Sequence, residues 1–215
     1  MIIIANKRRK TEGLLKEYPG AIIADVTSKA EGELVHLSPF YPYGDIPIPF
    51  SSPETGASVE GIWQGLKVFA NAGIDLEVIH NMSMKGLKRT VRRFGPPLGH
   101  QKGLHSDELL DYMTARRDIY LPTYRWMLEH KVMHIIERLR KANQAGKTII
   151  LLDYNSSTDV DDPKKPISHA YLVKAYAEGL YPYEDALGIN KAAPTKPTQR
   201  QIIQRSLFED NQEEE

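Results

Sequence analysis

Apolar residues fall into short blocks in the first half of this chain and recur at helical spacing in the second. AIIADVTS (21–28) is an apolar run closed by polar turn formers, the pattern of a buried strand. ELVHLSPF (33–40) reads as a second strand. YPYGDIPIPFSSPETGAS (41–58) mixes Pro, Gly and Ser, and repeated proline fixes φ and removes backbone donors, so this stretch is irregular. Long irregular segments inside a compact domain are more often functional than idle. SVEGIWQGLKVF (58–69) is an amphipathic helix with Ser58 as its N-cap, although Gly61 stands where a capping box would place Glu. KGLKRTVRRFG (85–95) reads as a second, very basic helix, ended by GPPLGHQKG.

From about Ser106 to Ala142 the apolar positions keep a helical period, and Pro122 implies a kink or two helices. KTIILLDY (147–154) is the clearest strand, a continuous run of the kind buried on both faces. NSSTDVDDPKKPIS is a loop, and HAYLVKAYAEGLYPYEDALG (169–188) a final helix or helix pair. The periodicity stops after Leu187. The expected fold class is therefore α+β: a helix-rich single domain around a small β-sheet over residues 1–188, followed by a flexible linker and tail over 189–215.

Composition narrows the function classes. The 215 residues suffice for one substantial domain, and 41% hydrophobic with 26% charged residues is ordinary for a globular protein. Lys+Arg 28 balances Asp+Glu 28, so no global field selects nucleic acid or membrane, and steering falls to local patches. Without cysteine there is neither a disulfide nor thiol catalysis, which fits a reducing cytoplasm. MIIIANKRRK places its isoleucines before its charges, the reverse of a secretory signal, and no apolar run approaches the roughly 20 residues of a spanning helix. The chain reads as cytoplasmic, with no membrane partner.

Glu60, Gln64 and Lys67 stand at i, i+4 and i+7, so a helix projects them from one side, with Trp63 beside them. An acid, an amide and an amine on one stripe are either a solvated face or the wall of a pocket. The aromatic segment LSPFYPYG upstream, together with Trp63, suits a planar ligand carrying a sugar. Other motifs lack the required residues. His130 and His134 have the spacing of a metal pair, but Lys131 stands where a zinc peptidase needs Glu; DVDD lacks the glycine and closing Glu of a calcium loop. No P-loop or Gly-x-Gly-x-x-Gly occurs. Neither a metal nor another cofactor is called for.

The order LSPFYP, then SVEGIWQGLK, resembles the NADAR (NAD and ADP-ribose) superfamily, which includes riboflavin-intermediate N-glycosidases and enzymes that strip ADP-ribose from guanine. Ser38, Phe40, Tyr41 and Pro42 match its first motif, with Leu37 replacing a Phe; Val59, Glu60, Gln64 and Lys67 match its second, with Ser58 in the place of Thr. KGLKRTV is similar to the family's Lys-x-Leu-Gly-Arg segment through Lys85, Leu87 and Arg89, with Lys88 at the Gly position. The family's Trp-Gly-x-Gly stretch is absent. The resemblance implies an N-glycosidase or ADP-ribosyl hydrolase acting on an ADP-ribose-containing or nucleotide-like substrate, with ADP-ribosylated guanine in DNA or RNA as one candidate.

It further implies that Lys67 attacks the sugar as a free amine. Glu60 is the candidate acid–base, because the departing base needs a proton. Gln64 would hold ribose hydroxyls or orient Lys67. The late strand and its acidic loop supply the second carboxylate, Asp159 or Asp161, of which Asp161 is chosen. Ser38, Phe40, Tyr41 and Trp63 would contact the substrate, and Lys85 and Arg89 its phosphates. Two other classes compete: a binding module for ADP-ribose or a nucleotide without turnover, and a nucleic-acid-associated interaction protein. QRSLF, Gln204 to Phe208, is similar to the peptide by which bacterial proteins dock on the DNA sliding clamp, departing at Arg205.

Overall fold

The computed structural model describes residues 1–183. In chain order the strands are β1 (Ile2–Asn6), β2 (Ile22–Asp25), β3 (Ile46–Pro47), β4 (Thr55–Gly56), β5 (Lys67–Phe69), β6 (Pro97–Gln101), β7 (Leu109–Leu110) and β8 (Ile149–Asp153). The helices are α1 (Thr11–Glu17), α2 (Val59–Gly65), α3 (Leu76–Ile79), α4 (Val91–Phe94), α5 (Tyr112–Ala115), α6 (Leu121–His130), α7 (Met133–Gln144) and α8 (His169–Ala177). This is the expected helix-rich α+β class, with small sheets. Residues 184–188 of the predicted final helix, the linker, and Gln204 to Phe208 lie outside the described residues.

The central sheet is parallel, in the order β1-β8-β2. Every residue of β8 is buried, as its unbroken apolar run demands. Its period of two divides it between two clusters: Ile149 and Leu151 join the main core with Leu172, Val173 and Ile136, while Ile150 and Leu152 join Leu14 of α1 and Ala5. The Ile-Ile-Ile run at the N-terminus supplies β1, a strand not among those expected.

Several expectations change. ELVHLSPF is not a strand; Gly32–Leu37 forms a 3₁₀ helix entered through Gly32 at φ 64°. The basic stretch 85–95 is helical only over Val91–Phe94, because Gly86 turns the chain at φ 74° and the Arg89 N–H bonds to the side chain of Gln64 rather than to a preceding carbonyl. GPPLGHQ, expected only to break a helix, supplies β6. Leu109 and Leu110, placed in a helix by their spacing, pair with β6 as a strand.

Pro122 does not break the helix. The chain stays helical from Tyr112 to His130 through a π-helical turn at Arg116–Tyr120, which accommodates the hydrogen bond that Pro122 cannot donate. The change to α7 falls at Lys131 and Val132. Among the described residues no helix is long and apolar enough to cross a membrane.

Candidate functional site

Helix α2 is shorter than the pattern suggested: it ends at Gly65, and Lys67 opens β5. Ser58 caps it as expected, its hydroxyl accepting the Gly61 N–H at 2.9 Å. Two glycines allow this helix to lie against α3. A Cβ on Gly65 would stand 2.8 Å from the Asp75 carbonyl oxygen, and one on Gly61 2.9 Å from that of Val78. With its back face so close-packed, α2 turns Glu60 and Gln64 the other way, into a cavity of about 390 Å³ that is also lined by Trp63, Lys67, Arg116 and Tyr120. The Glu60 N–H donates to the Pro39 carbonyl at 2.8 Å, so the SPFYP and SVEG segments meet at the head of the helix.

The three polar side chains form a row. Gln64 Nε2 donates to Glu60 Oε1 at 2.8 Å, and Lys67 Nζ donates to Gln64 Oε1 at 2.8 Å. The same Gln64 oxygen accepts the Arg89 backbone N–H at 3.2 Å, which fixes the amide's orientation. Burial pushes the Glu60 carboxyl above its ordinary range, and the Gln64 hydrogen bond and the Lys67 charge only partly oppose this. Burial pulls the Lys67 amine down; the Glu60 charge opposes, while Arg89 and Lys88 reinforce. Both groups thus lean toward neutrality. Glu60 Oε2 has no protein partner among the described residues.

Behind Lys67, His100 is its cross-strand neighbour and stacks on Trp63 at 3.8 Å between ring centroids. Neither His100 nitrogen has a hydrogen-bond partner among the described residues, and burial, followed by the charge of Lys67, holds the ring neutral with a pKa pushed down to about 3. The wall beside the amine is therefore flat, aromatic and uncharged. Tyr120 completes it, with burial raising its hydroxyl well above 10.

A second cavity of about 500 Å³ adjoins the first, sharing Glu60, Lys88, Tyr120, Pro166 and Ile167. It opens where β2 and β8 end, at Thr27 to Lys29 and Asp153 to Asn155, the edge of a parallel sheet where ligands commonly bind. Its acid is Asp153. One Asp153 oxygen lies 3.1 Å from His169 Nδ1 and accepts the Ser168 hydroxyl at 2.6 Å; the other accepts the Tyr154 N–H at 2.7 Å. His169 Nε2 meets the Val26 carbonyl at 2.8 Å, so both ring nitrogens face acceptors, an arrangement that favours the doubly protonated ring. Burial alone would raise Asp153, but the His169 hydrogen bond and charge outweigh it and hold the carboxyl down at about 2. Burial lowers His169 and the same partner more than restores it, so the imidazolium form is favoured.

The geometry sorts the expected site residues. Glu60, Trp63, Gln64, Lys67 and Arg89 line the first cavity, and Ser38 and Phe40 the second. Tyr41 lies outside both and packs its ring 4.2 Å from His36 and 4.7 Å from Tyr43. Lys85 is exposed and outside both. Asp161 is corrected: it lies on the surface, where its carboxylate takes a 2.6 Å hydrogen bond from Arg117, and Asp153 is the acid that the late strand delivers.

Arg89 reaches the cavity wall, but its guanidinium is occupied, donating to the carbonyls of Lys67 at 2.5 Å and Gly73 at 2.7 Å between the rings of Phe69 and Phe94. These contacts tie Arg89 to β5 and to the turn at Gly73, while its buried Nε, 3.8 Å from an Asp75 carboxylate oxygen, has no hydrogen-bond partner among the described residues. Arg116 does comparable work for the late loop, donating to the carbonyls of Val160, Asp162 and Lys165. Sequence reasoning missed Tyr120, Arg116, Asp153 and His169. Only Asp153 carried a signal, as an acid closing a buried strand.

Fold and site together define a mixed α/β protein with a divided polar cleft at the C-terminal edge of a small parallel sheet. The chain belongs to the family described as "Family of unknown function (DUF6939)", whose model matches residues 6–173 and so spans both cavities. No curated protein and no solved structure matches it.

Proposed function

We propose that this protein is a NADAR-like N-glycosidase that cleaves an ADP-ribose- or nucleotide-like N-glycoside. One observation carries the reading: a half-buried lysine amine, drawn toward its neutral form, is tied through Gln64 to a buried acid in the wall of an aromatic-sided cavity. An amine in its neutral form is a nucleophile, and a carboxyl raised by burial can donate a proton. The Nζ lone pair bonds to the anomeric carbon as the bond from that carbon to the base breaks. The electron pair leaves on the base nitrogen, which takes its proton from Glu60; the proton released by Nζ restores the acid. Ring opening gives an imine, and water hydrolyses it to the sugar and the free amine, with no net oxidation or reduction.

Incubation with ADP-ribosylated guanosine is the test. The expected result is released guanosine, a borohydride-trapped sugar adduct on Lys67, and neither product with Lys67→Ala. Ligand binding with no product under any condition would overturn the enzyme reading and leave a nucleotide-binding module. The surface favours a further partner: Lys85, Arg92 and Arg93 are exposed and without an ion-pair partner among the described residues. A nucleic-acid-linked substrate would lie across them, with affinity falling steeply as salt rises.

A further inference from the structure

The second cavity has a charge pattern that the glycosidic step does not use. Lys29 and Lys88 both line it, and neither ammonium has a carboxylate partner among the described residues. Lys88 is positioned with Nζ 5.6 Å from the centre of the Phe40 ring. The two acids that face the same space form no ion pair with these lysines, although Glu60 feels the charge of Lys88. Asp153 is matched by His169 and three further donors, the Ser168 hydroxyl and the N–H groups of Tyr154 and Ala170. Glu60 is bonded to Gln64 at the far wall. Ser28 stands in the turn after β2 with its hydroxyl unpaired among the described residues. The cavity therefore presents two free cations and a free hydroxyl beside a buried imidazolium whose charge is already balanced.

We propose that this second cavity is a phosphoryl-binding subsite, with Lys29 and Lys88 as its cationic jaws and Ser28 as a neutral donor, at the C-terminal ends of β2 and β8. An anion placed there meets lysines that make no ion pair among the described residues, and charge-assisted bonds to phosphate oxygens are the strongest contacts available to them. The cavity is larger than one phosphate needs, and its volume suits a diphosphate or a sugar phosphate. Lys88 borders both cavities, so a substrate with its glycosidic carbon at Lys67 would thread its phosphoryl end past Lys88. That placement rests on the glycosidase reading; the phosphoryl binding does not. It also moves the phosphate contact from Lys85 and Arg89 to two lysines with free ammonium groups.

Pyrophosphate binding by the full-length protein, followed by calorimetry at low ionic strength, is the test. The expected result is one saturable site, weakened about tenfold or more by Lys29→Gln and by Lys88→Gln, since each removes a charge-assisted contact. Arg92→Gln, on the exposed surface and outside both cavities, should leave the affinity within about twofold. Both lysines are exposed, so these variants keep the fold. No saturable binding, or equal weakening by Arg92→Gln, would overturn the subsite in favour of diffuse surface charge. Pyrophosphate binding without glycoside cleavage would sustain the subsite and defeat the glycosidase reading. Cleavage with an unchanged KM in the Lys29→Gln/Lys88→Gln double variant would do the reverse.

Discussion

The two cavities hold similar ingredients, an acid and a base apiece, and treat them in opposite ways. In the second, Asp153 takes donors on both oxygens and His169 has an acceptor at each nitrogen, so both stay charged and each fixes the other. In the first, Glu60 and Lys67 are joined only through Gln64; Glu60 keeps one oxygen without a protein partner, and burial draws both toward neutrality. A satisfied pair ties β8, the end of β2 and the start of α8 together. An under-satisfied pair is poised to exchange protons with something that enters. The difference is one of hydrogen-bond satisfaction and burial, and on the proposed reading it separates scaffold from chemistry.

Several substitutions would break or sharpen that contrast. Lys67→Ala should lower product release by at least about 10³-fold with little change in unfolding midpoint, as expected for a lost nucleophile. Glu60→Gln should cost about 10²–10⁴, the usual range for a general acid, and should remove the pH limb that Glu60 sets. Asp153→Asn should act on stability instead, by about 3–5 kcal/mol in urea unfolding, because it strips the buried imidazolium of its counter-charge. Equal effects of Lys67→Ala and Asp153→Asn on stability would erase the distinction.

The pH dependence of unfolding is a subtler probe. Asp153 has its folded pKa depressed to about 2, so its contribution is complete above its unfolded value and disappears as pH falls through about 2; the shift corresponds to about 2 kcal/mol. His169 is raised, so its contribution is complete below the unfolded histidine value and is lost as pH rises through the folded one. Melting temperature measured across that upper window should fall in the wild type and stay flatter in His169→Asn. Asp161→Asn should change least, within about 0.5 kcal/mol and with full activity, because its pair with Arg117 is exposed.

Much of this was legible in the chain, for identifiable reasons. The run at 147–154 declared a strand covered on both faces, and Ser58 declared a cap. The spacing of Glu60, Gln64 and Lys67 anticipated their meeting even though the helix stops before Lys67; the cap at Leu66 and the first residue of β5 keep the amine on the same side. The remainder depends on long-range partners. Lys85 to Arg93 looked like a helix because its charges are spaced for one, but Gln64 claims the Arg89 amide across 25 positions. The sequence offered Asp159 or Asp161 from the late loop and passed over Asp153, since what marks Asp153 out is its pairing with His169 on the next helix. The π-helical turn that points Arg116 and Tyr120 at the cleft left its mark in Pro122, which signalled an irregularity without its form.

The account turns on the protonation of one amine. Lysine labelled at Cε and Nζ, with the Lys67 resonance assigned by its loss in Lys67→Arg, can be titrated by NMR in the folded protein. The account predicts a midpoint for Lys67 clearly below the ordinary lysine value of about 10.4. A midpoint at or above that ordinary value would contradict it.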